Sequence, residues 1–242
     1  MSKLCSLALL LLALTLSLAA ERAVAADDPD GPGWITLFDG SILKGWKANE
    51  NNEQWKVEDG AIKVAGPRSH LFFVGEDENN PPQYESFHFK ADVKTTKGSN
   101  SGIYFHTDWN EEKNHKRFPQ TGFEAQVNTS HGDPVKTASI YHLKKNFVPP
   151  AKDDEWFTEE IILDAKNKTI KTFVNGKQIV EYKEPEGKKG KMEVIGKGTF
   201  AIQAHDPKSV CFLKNIRVKP LTNEEAEKEG PSAKPAEPAA AK

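Results

Sequence analysis

Residues 122–141, GFEAQVNTSHGDPVKTASIY, decide how this chain folds. The first half alternates, with Phe123, Ala125 and Val127 pointing one way and Glu124, Gln126 and Asn128 the other. Successive strand residues face opposite sides of a sheet, so this is a strand with one packed face and one polar face. A loop with His131, Asp133 and Lys136 follows, and Ser139-Ile140-Tyr141 begins another strand. Solvated sheet faces ordinarily carry Lys, Thr and Ser. Here the polar face carries a carboxylate and two amides, beside a loop with an imidazole and a second carboxylate. Two other stretches repeat the arrangement. In 103–107, Ile103 and Phe105 share a face and leave Tyr104 and His106 opposite; in 199–205, Phe200, Ile202 and Ala204 leave Gln203 and His205 opposite. Three strands presenting Tyr, His, Glu, Gln and His away from the core predict one polar cleft.

The rest of the chain supplies partners for these strands. Asp59-Gly60 and Asn175-Gly176 each separate two short apolar runs, and such pairs accept the positive φ of a tight hairpin turn. Residues 86–95 alternate cleanly, with Phe87, Phe89, Ala91 and Val93 inward and His88, Lys90, Asp92 and Lys94 outward, which makes His88 a solvated residue. No stretch sustains a helical period. About a dozen short strands separated by turn signals predict an all-β sandwich of two antiparallel sheets.

The ends read differently. Residues 1–25 have a positive start at Lys3, a Leu-rich run too short for a comfortable membrane span, and the small-x-small site Ala23-Val24-Ala25. That pattern is a signal peptide, predicting a periplasmic or secreted protein with no membrane insertion after its removal. A flexible leader over 26–33, one domain over 34–221 and a disordered tail over 222–242, rich in Glu, Lys, Ala and Pro, complete the expected organisation. Removal of the signal leaves Cys211 as the single cysteine, so no internal disulfide is available. The net charge of −2 and the absence of a basic stripe argue against a nucleic-acid partner.

Nine segments then carry a family resemblance when taken in order. They are 34–40 (WITLFDG), Gly45-Trp46, Trp55 with Glu58-Asp59-Gly60, 101–105 (SGIYF), 122–127 (GFEAQV), Glu155-Trp156, Val174-Asn175-Gly176, 201–205 (AIQAH) and 212–218. The sequence resembles the 3-keto-disaccharide hydrolase domain family over roughly 34–221, and its His131-Gly132-Asp133-Pro134 and His205-Asp206-Pro207 runs are similar to those of secreted planctomycete-type members. The resemblance implies a concanavalin-like jelly roll and an activity on 3-keto-glycosides. Many members end the SGIYF strand with Arg, where His106 stands here.

A 3-keto group acidifies the neighbouring C2 proton, so a base can remove it and the C1 substituent leaves by elimination, after which water adds. Such a site needs a base, a stabiliser for the enolate oxygen and a proton for the leaving group. Glu124, His106 and His205 are the candidate acid–base groups. Tyr104, Gln126, Asn128, Tyr141, Trp156 and Gln203 are candidates for binding the oligosaccharide or glycoside. A divalent cation is a candidate cofactor, with His131, Asp133 and Asp206 as its ligands, although Gly-Asp-Pro is equally good turn chemistry; no organic cofactor is expected. The alternative is a non-catalytic carbohydrate-binding module of the cell envelope, since a sandwich fold does not fix function.

Overall fold

A computed structural model describes residues 31–232. The expected signal peptide, most of the leader and the last ten residues of the tail lie outside the described residues. In chain order the elements are β1 (Ile35–Thr36), β2 (Trp46–Ala48), β3 (Lys56–Glu58), β4 (Ala61–Ala65), β5 (Ser69–Phe73), β6 (Phe87–Thr95), β7 (Ser101–Thr107) and α1 (Glu111–Asn114). They continue with β8 (Phe123–Val127), β9 (Phe157–Asp164), β10 (Thr169–Val174), β11 (Lys177–Lys183), β12 (Thr199–Ala204), β13 (Val210–Pro220) and α2 (Asn223–Lys228). Both predicted hairpins form: Asp59-Gly60 joins β3 to β4 and Asn175-Gly176 joins β10 to β11, all four residues at positive φ.

Two antiparallel sheets face each other. One runs β11-β10-β9-β6-β13-β4-β3, with β1 also paired to β13, and the other runs β2-β5-β12-β7-β8. The inward row of β6 meets the inward rows of β7, β8 and β12. Phe200 lies 5.1 Å from Phe87 and 4.8 Å from Phe89, while Phe105 stacks on Phe123 at 5.3 Å. This apolar layer burial holds the sheets together, at roughly 25 cal/mol per Å² removed from water. Trp46 and Trp55 join it with their indole N–H groups satisfied, on the Leu37 carbonyl at 2.8 Å and Ser69 Oγ at 2.9 Å. Cys211 is buried there as well, and burial pushes its thiol pKa up. Among the described residues, no helix is long and apolar enough to cross a membrane.

One core position breaks the rule. Glu159 on β9 faces inward between Ala91 and Val174, fully buried, and neither carboxylate oxygen has a hydrogen-bond partner. Burial raises its pKa well above the ordinary 4.5. Above pH 4.5 the unfolded chain releases this proton while the folded chain keeps it, so folding stability falls as pH rises. Glu159→Met is expected to gain about 1–3 kcal/mol at pH 8 and to flatten that slope in guanidinium unfolding at pH 5 and pH 8. Parallel slopes for variant and parent would rule the account out.

One expectation fails on the outer face of the larger sheet. His88 is 1% exposed, not solvated, because Nε2 meets Glu160 Oε2 at 3.0 Å and Nδ1 meets Glu229 Oε1 at 2.9 Å. Glu229 belongs to the first part of the 222–242 tail, where α2 forms. Thr222 and Glu225 form a reciprocal capping box on α2, and the Ser232 amide donates to Glu160 Oε2 at 2.8 Å.

Candidate active site

The smaller sheet turns its second face toward a cleft of about 320 Å³, at the small end of the ordinary range for ligand pockets, roughly 300–1,000 Å³. Its floor follows from strand parity. Tyr104 on β7 sits directly across from Glu124 on β8, and Gly102 directly across from Gln126. The Tyr104 hydroxyl donates to Glu124 Oε2 at 2.9 Å and accepts from Gln203 Nε2 at 3.3 Å. Gly102 makes the seat: a Cβ at this position would overlap the Glu124 carboxylate. With no side chain there, the carboxylate folds down over the strand and reaches Tyr104.

The environment sets the charge of both groups. Burial raises the Glu124 pKa to about 7, with the Tyr104 bond pulling it back and the nearby Asp133 charge pushing it further up. Burial, then the Glu124 charge, hold the Tyr104 phenol well above its ordinary value, so it stays a donor. Glu124 is therefore poised near neutrality, where one carboxyl can both take and return a proton.

β8 is the edge of its sheet, and the chain returns along it to seal that edge. Gln126 N–H donates to the Ser139 carbonyl at 2.9 Å, Ala138 N–H to Gln126 at 2.8 Å and Tyr141 N–H to Glu124 at 2.9 Å. That return brings Tyr141 to the cleft beside Glu124, its hydroxyl 3.4 Å from Asp133 Oδ2. Burial and the two carboxylates raise the Tyr141 pKa.

At the far end of β12, His205 Nδ1 meets Asp206 Oδ2 at 2.8 Å, and the His131 ring lies 5.5 Å from the His205 ring. Burial is the largest single influence and raises the Asp206 pKa, but hydrogen bonds from His205, Ser209 and Lys208 together outweigh it and hold the carboxyl at about 2. Ligand atoms of His131, His205 and Asp206 lie within 4.8 Å of one another, so His205 takes the place expected for Asp133 in a metal set. Asp133 instead accepts from the Val135 amide at 2.8 Å in a turn. His131 Nδ1 accepts the Asp133 N–H at 3.0 Å, which places the ring proton on Nε2. Neither His131 nitrogen then offers a free lone pair, leaving fewer than the three protein ligands of an ordinary zinc site. In this arrangement the donor set does not fit zinc, and the three side chains stand as hydrogen-bonding groups.

Three expected site residues stand elsewhere. His106 takes φ +54, and pairing jumps from Phe105–Phe200 to Thr107–Thr199, so the residue is the extra one of a β-bulge. The bulge turns its ring from the cleft toward Phe87, where Nε2 donates to the Glu85 carbonyl at 2.8 Å and Nδ1 accepts from Gly196 at 3.3 Å. Burial lowers its pKa to about 4, so it is a neutral structural imidazole. Asn128 is fully buried and ties its own loop together, with Nδ2 on the carbonyls of Asp133 and Val135 at 3.0 and 2.8 Å. Trp156 lies on the outer face of the larger sheet, flanked by the ammonium groups of Lys94 and Lys214 at 5.0 and 4.2 Å.

The cleft also contains residues that alternation does not reveal. Asn100 lines it with a buried Oδ1 that has no partner, and His142 and Glu193 form a pair at 3.2 Å on its rim. Phe118, Pro119 and Met192 line it as well, the Phe118 ring 5.1 Å from the His70 ring and Met192 bridged through its backbone to Gly122. None belongs to a strand, and the composition of their segments signals only loop.

Comparison with known proteins agrees with this architecture. A 3-keto-disaccharide hydrolase of Bacteroides thetaiotaomicron is 32% identical over 92 residues, covering 36% of this chain and 32% of the relative's own length. The match thus spans about a third of that relative. Among solved structures, a protein described as a candidate glycosyl hydrolase of Parabacteroides distasonis superposes with a TM-score of 0.62 at 24% identity, over 78% of this chain and 94% of that one. A Bacillus subtilis protein of galectin-like fold superposes with a TM-score of 0.54 at 12% identity, over 72% and 89%. At these identities the superpositions show the fold alone. The sequence also matches the 3-keto-alpha-glucoside-1,2-lyase-like domain over residues 33–219, a span that includes both sheets and every residue of the cleft. The chain therefore belongs to the 3-keto-alpha-glucoside-1,2-lyase-like domain family.

Proposed function

We propose that the protein is an exported enzyme that cleaves 3-keto-glycosides by elimination followed by hydration, giving net hydrolysis. The observation that carries the reading is the Glu124 carboxyl, seated over Gly102 and held near neutrality beside Tyr104. In the first step Glu124 takes the C2 proton, the C2–H pair forms the C1=C2 bond, and the C1–O bond breaks with its electrons on the leaving oxygen. That oxygen takes the proton from Glu124 and departs as an alcohol, leaving Glu124 ionised again. Charge developing on the 3-keto oxygen is met by donors at the cleft floor and rim, with Gln126, Gln203 and Tyr141 as the nearest candidates. Water then adds across C1=C2: the Glu124 carboxylate takes a water proton as the oxygen bonds to C1 and delivers that proton to C2. His205, held by Asp206, and His131 bind sugar hydroxyls at the other end.

The test is turnover of a 3-keto-glucoside in deuterated water. Elimination and hydration place deuterium at C2 of the product faster than uncatalysed enolisation of the ketone does. Product formed at a good rate without that label would remove the mechanism, and no turnover of any 3-keto-glucoside would favour the binding-module reading. A substitution probes the seat itself. Gly102 lies in a regular strand, so Gly102→Ala brings no backbone penalty but pushes the carboxylate off Tyr104. A displacement on the order of 1 Å costs about a hundredfold in rate, and thermal unfolding should stay near the parent value. Full activity in Gly102→Ala would mean that the Glu124–Tyr104 contact has no part in turnover.

A further inference from the structure

A histidine on the cleft face of the smaller sheet has no part in the chemistry above. His70 on β5 is fully buried, and neither ring nitrogen has a hydrogen-bond partner among the described residues. Burial, then the Arg68 charge, lower its pKa to about 3, so the ring is neutral and offers one donor and one acceptor. Gln203 stands directly across from it on β12. The Gln203 Nε2 donates to the Tyr104 hydroxyl at 3.3 Å, while its Oε1 is buried and unpaired like the imidazole. Folded proteins pair nearly all buried polar atoms. A neighbouring imidazole and amide both left without partners point to a ligand that supplies them.

One side chain separates this pair from the cleft. Phe118 lines the cleft, and its ring stands edge-on to His70 at 5.1 Å. The rings of Tyr104 at 5.3 Å and Phe72 at 6.4 Å also flank the imidazole. The segment that carries Phe118 is pinned just before it. Asn49 Oδ1 accepts the His70 N–H at 2.8 Å, and its Nδ2 donates to the carbonyls of Asn114 and Arg117 at 2.9 and 2.7 Å. The Phe118 side chain is 45% exposed and rests against His70 and the Arg68 guanidinium, 5.2 Å away. Rotation about its χ1 carries the ring into water and leaves the Asn49 bonds intact.

We propose that His70 and Gln203 form a second sugar subsite, closed by the Phe118 ring in this conformation and opened when the second ring of a disaccharide turns that side chain aside. The proposal rests on the reading that seats the reacting sugar at Glu124. β5 lies three strand spacings from β8, roughly 14 Å, which is beyond the span of one sugar ring. Hydroxyls of the second ring then pair with the imidazole and with Gln203 Oε1, and the unpaired atoms of the face gain the partners they lack.

The probes are methyl glucoside and a glucose disaccharide, both unoxidised, so that binding is read without turnover. Calorimetry on the parent should give a Kd about tenfold lower for the disaccharide, the worth of one or two new hydrogen bonds. The His70 ring-nitrogen resonances should move with the disaccharide and stay in place with methyl glucoside. His70→Phe keeps a ring of similar size and removes both unpaired nitrogens. It should unfold at a higher temperature than the parent and lose the preference for the disaccharide; a purely structural imidazole would change the stability and leave the preference. Phe118→Ala, at an exposed position, removes the cover and should bind the disaccharide about three- to tenfold tighter, with methyl glucoside unchanged. Equal affinities for the two sugars in the parent, no binding of either, or disaccharide binding in Phe118→Ala no tighter than in the parent would overturn the subsite. Should His70→Phe fail to fold, the nitrogen resonances and Phe118→Ala decide the point. No bond breaks in these measurements, so the two readings fail separately. Turnover of a 3-keto-glucoside without the preference removes only the subsite, and the preference without turnover removes only the lyase reading.

Discussion

Glu124→Gln is expected to lower kcat by about 10²–10⁴, the usual contribution of a positioned general base, and to leave the fold intact. The amide has the shape of the carboxylate, so it keeps its place over Gly102 and still receives the Tyr104 hydroxyl. It cannot take a proton from C2. The parent should show kcat/KM rising with pH through about 7 and then levelling, because only the ionised Glu124 is a base. The stability change has the opposite pH sign. A carboxyl whose folded pKa is raised to about 7 favours the folded state below its ordinary 4.5, and that contribution is lost as pH rises through about 7. The variant should therefore unfold at the parent's temperature or above it near pH 8. A variant with the parent's kcat and pH profile would remove Glu124 from the mechanism.

His88→Leu is expected to destabilise the protein by about 3–5 kcal/mol, the cost of stripping the partner from a buried charge. Both ring nitrogens face carboxylate oxygens, so one proton more than a neutral imidazole holds must lie among His88, Glu160 and Glu229. Leu fills a similar volume, which keeps lost packing out of the result. Glu160, 1% exposed, would keep the Ser232 amide and lose its imidazole. Glu229 would keep Lys219 at 3.3 Å. Because the pair also holds α2 and the residues after it, trypsin should cut after Lys228 faster in the variant. Urea unfolding and the digestion rate measure the two effects, and a stability change below about 1 kcal/mol would show that the triad is not a buried ion cluster.

The sheet faces were readable because alternation is a local property. Glu124, Gln126, Tyr104 and Gln203 each reached the cleft by parity alone. His106 obeyed the same parity in the sequence and failed in space, because one inserted residue reverses every face beyond it. The signal for that bulge lies in its neighbours: a Cβ on Gly122 or Gly198 would collide with the backbone at His106. Neither glycine is near His106 in sequence, so a reading along the chain cannot connect them. α2 went unseen because six residues are too few to show a helical period, although Thr222 and Glu225 stand at capping-box spacing. Phe118, His142, Met192 and Glu193 reach the cleft on loops, whose course is set by the packing of distant strands. Trp156 carried no facing information, and its lysine neighbours come from strands β6 and β13.

β7 and β8 present Tyr104 and Glu124 on one side and Ile103, Phe105, Phe123 and Ala125 on the other, all four of the latter in the buried core. The working groups thus share a single backbone layer with the residues that hold the domain together. Sites carried on flexible loops can melt by local opening well below the global transition. Here the amide protons of Ile103 and Ala125 should exchange only through whole-domain opening, and heat should abolish turnover and tertiary structure over the same few degrees. The Tyr104–Glu124 pair itself therefore has no softer region of its own to lose first.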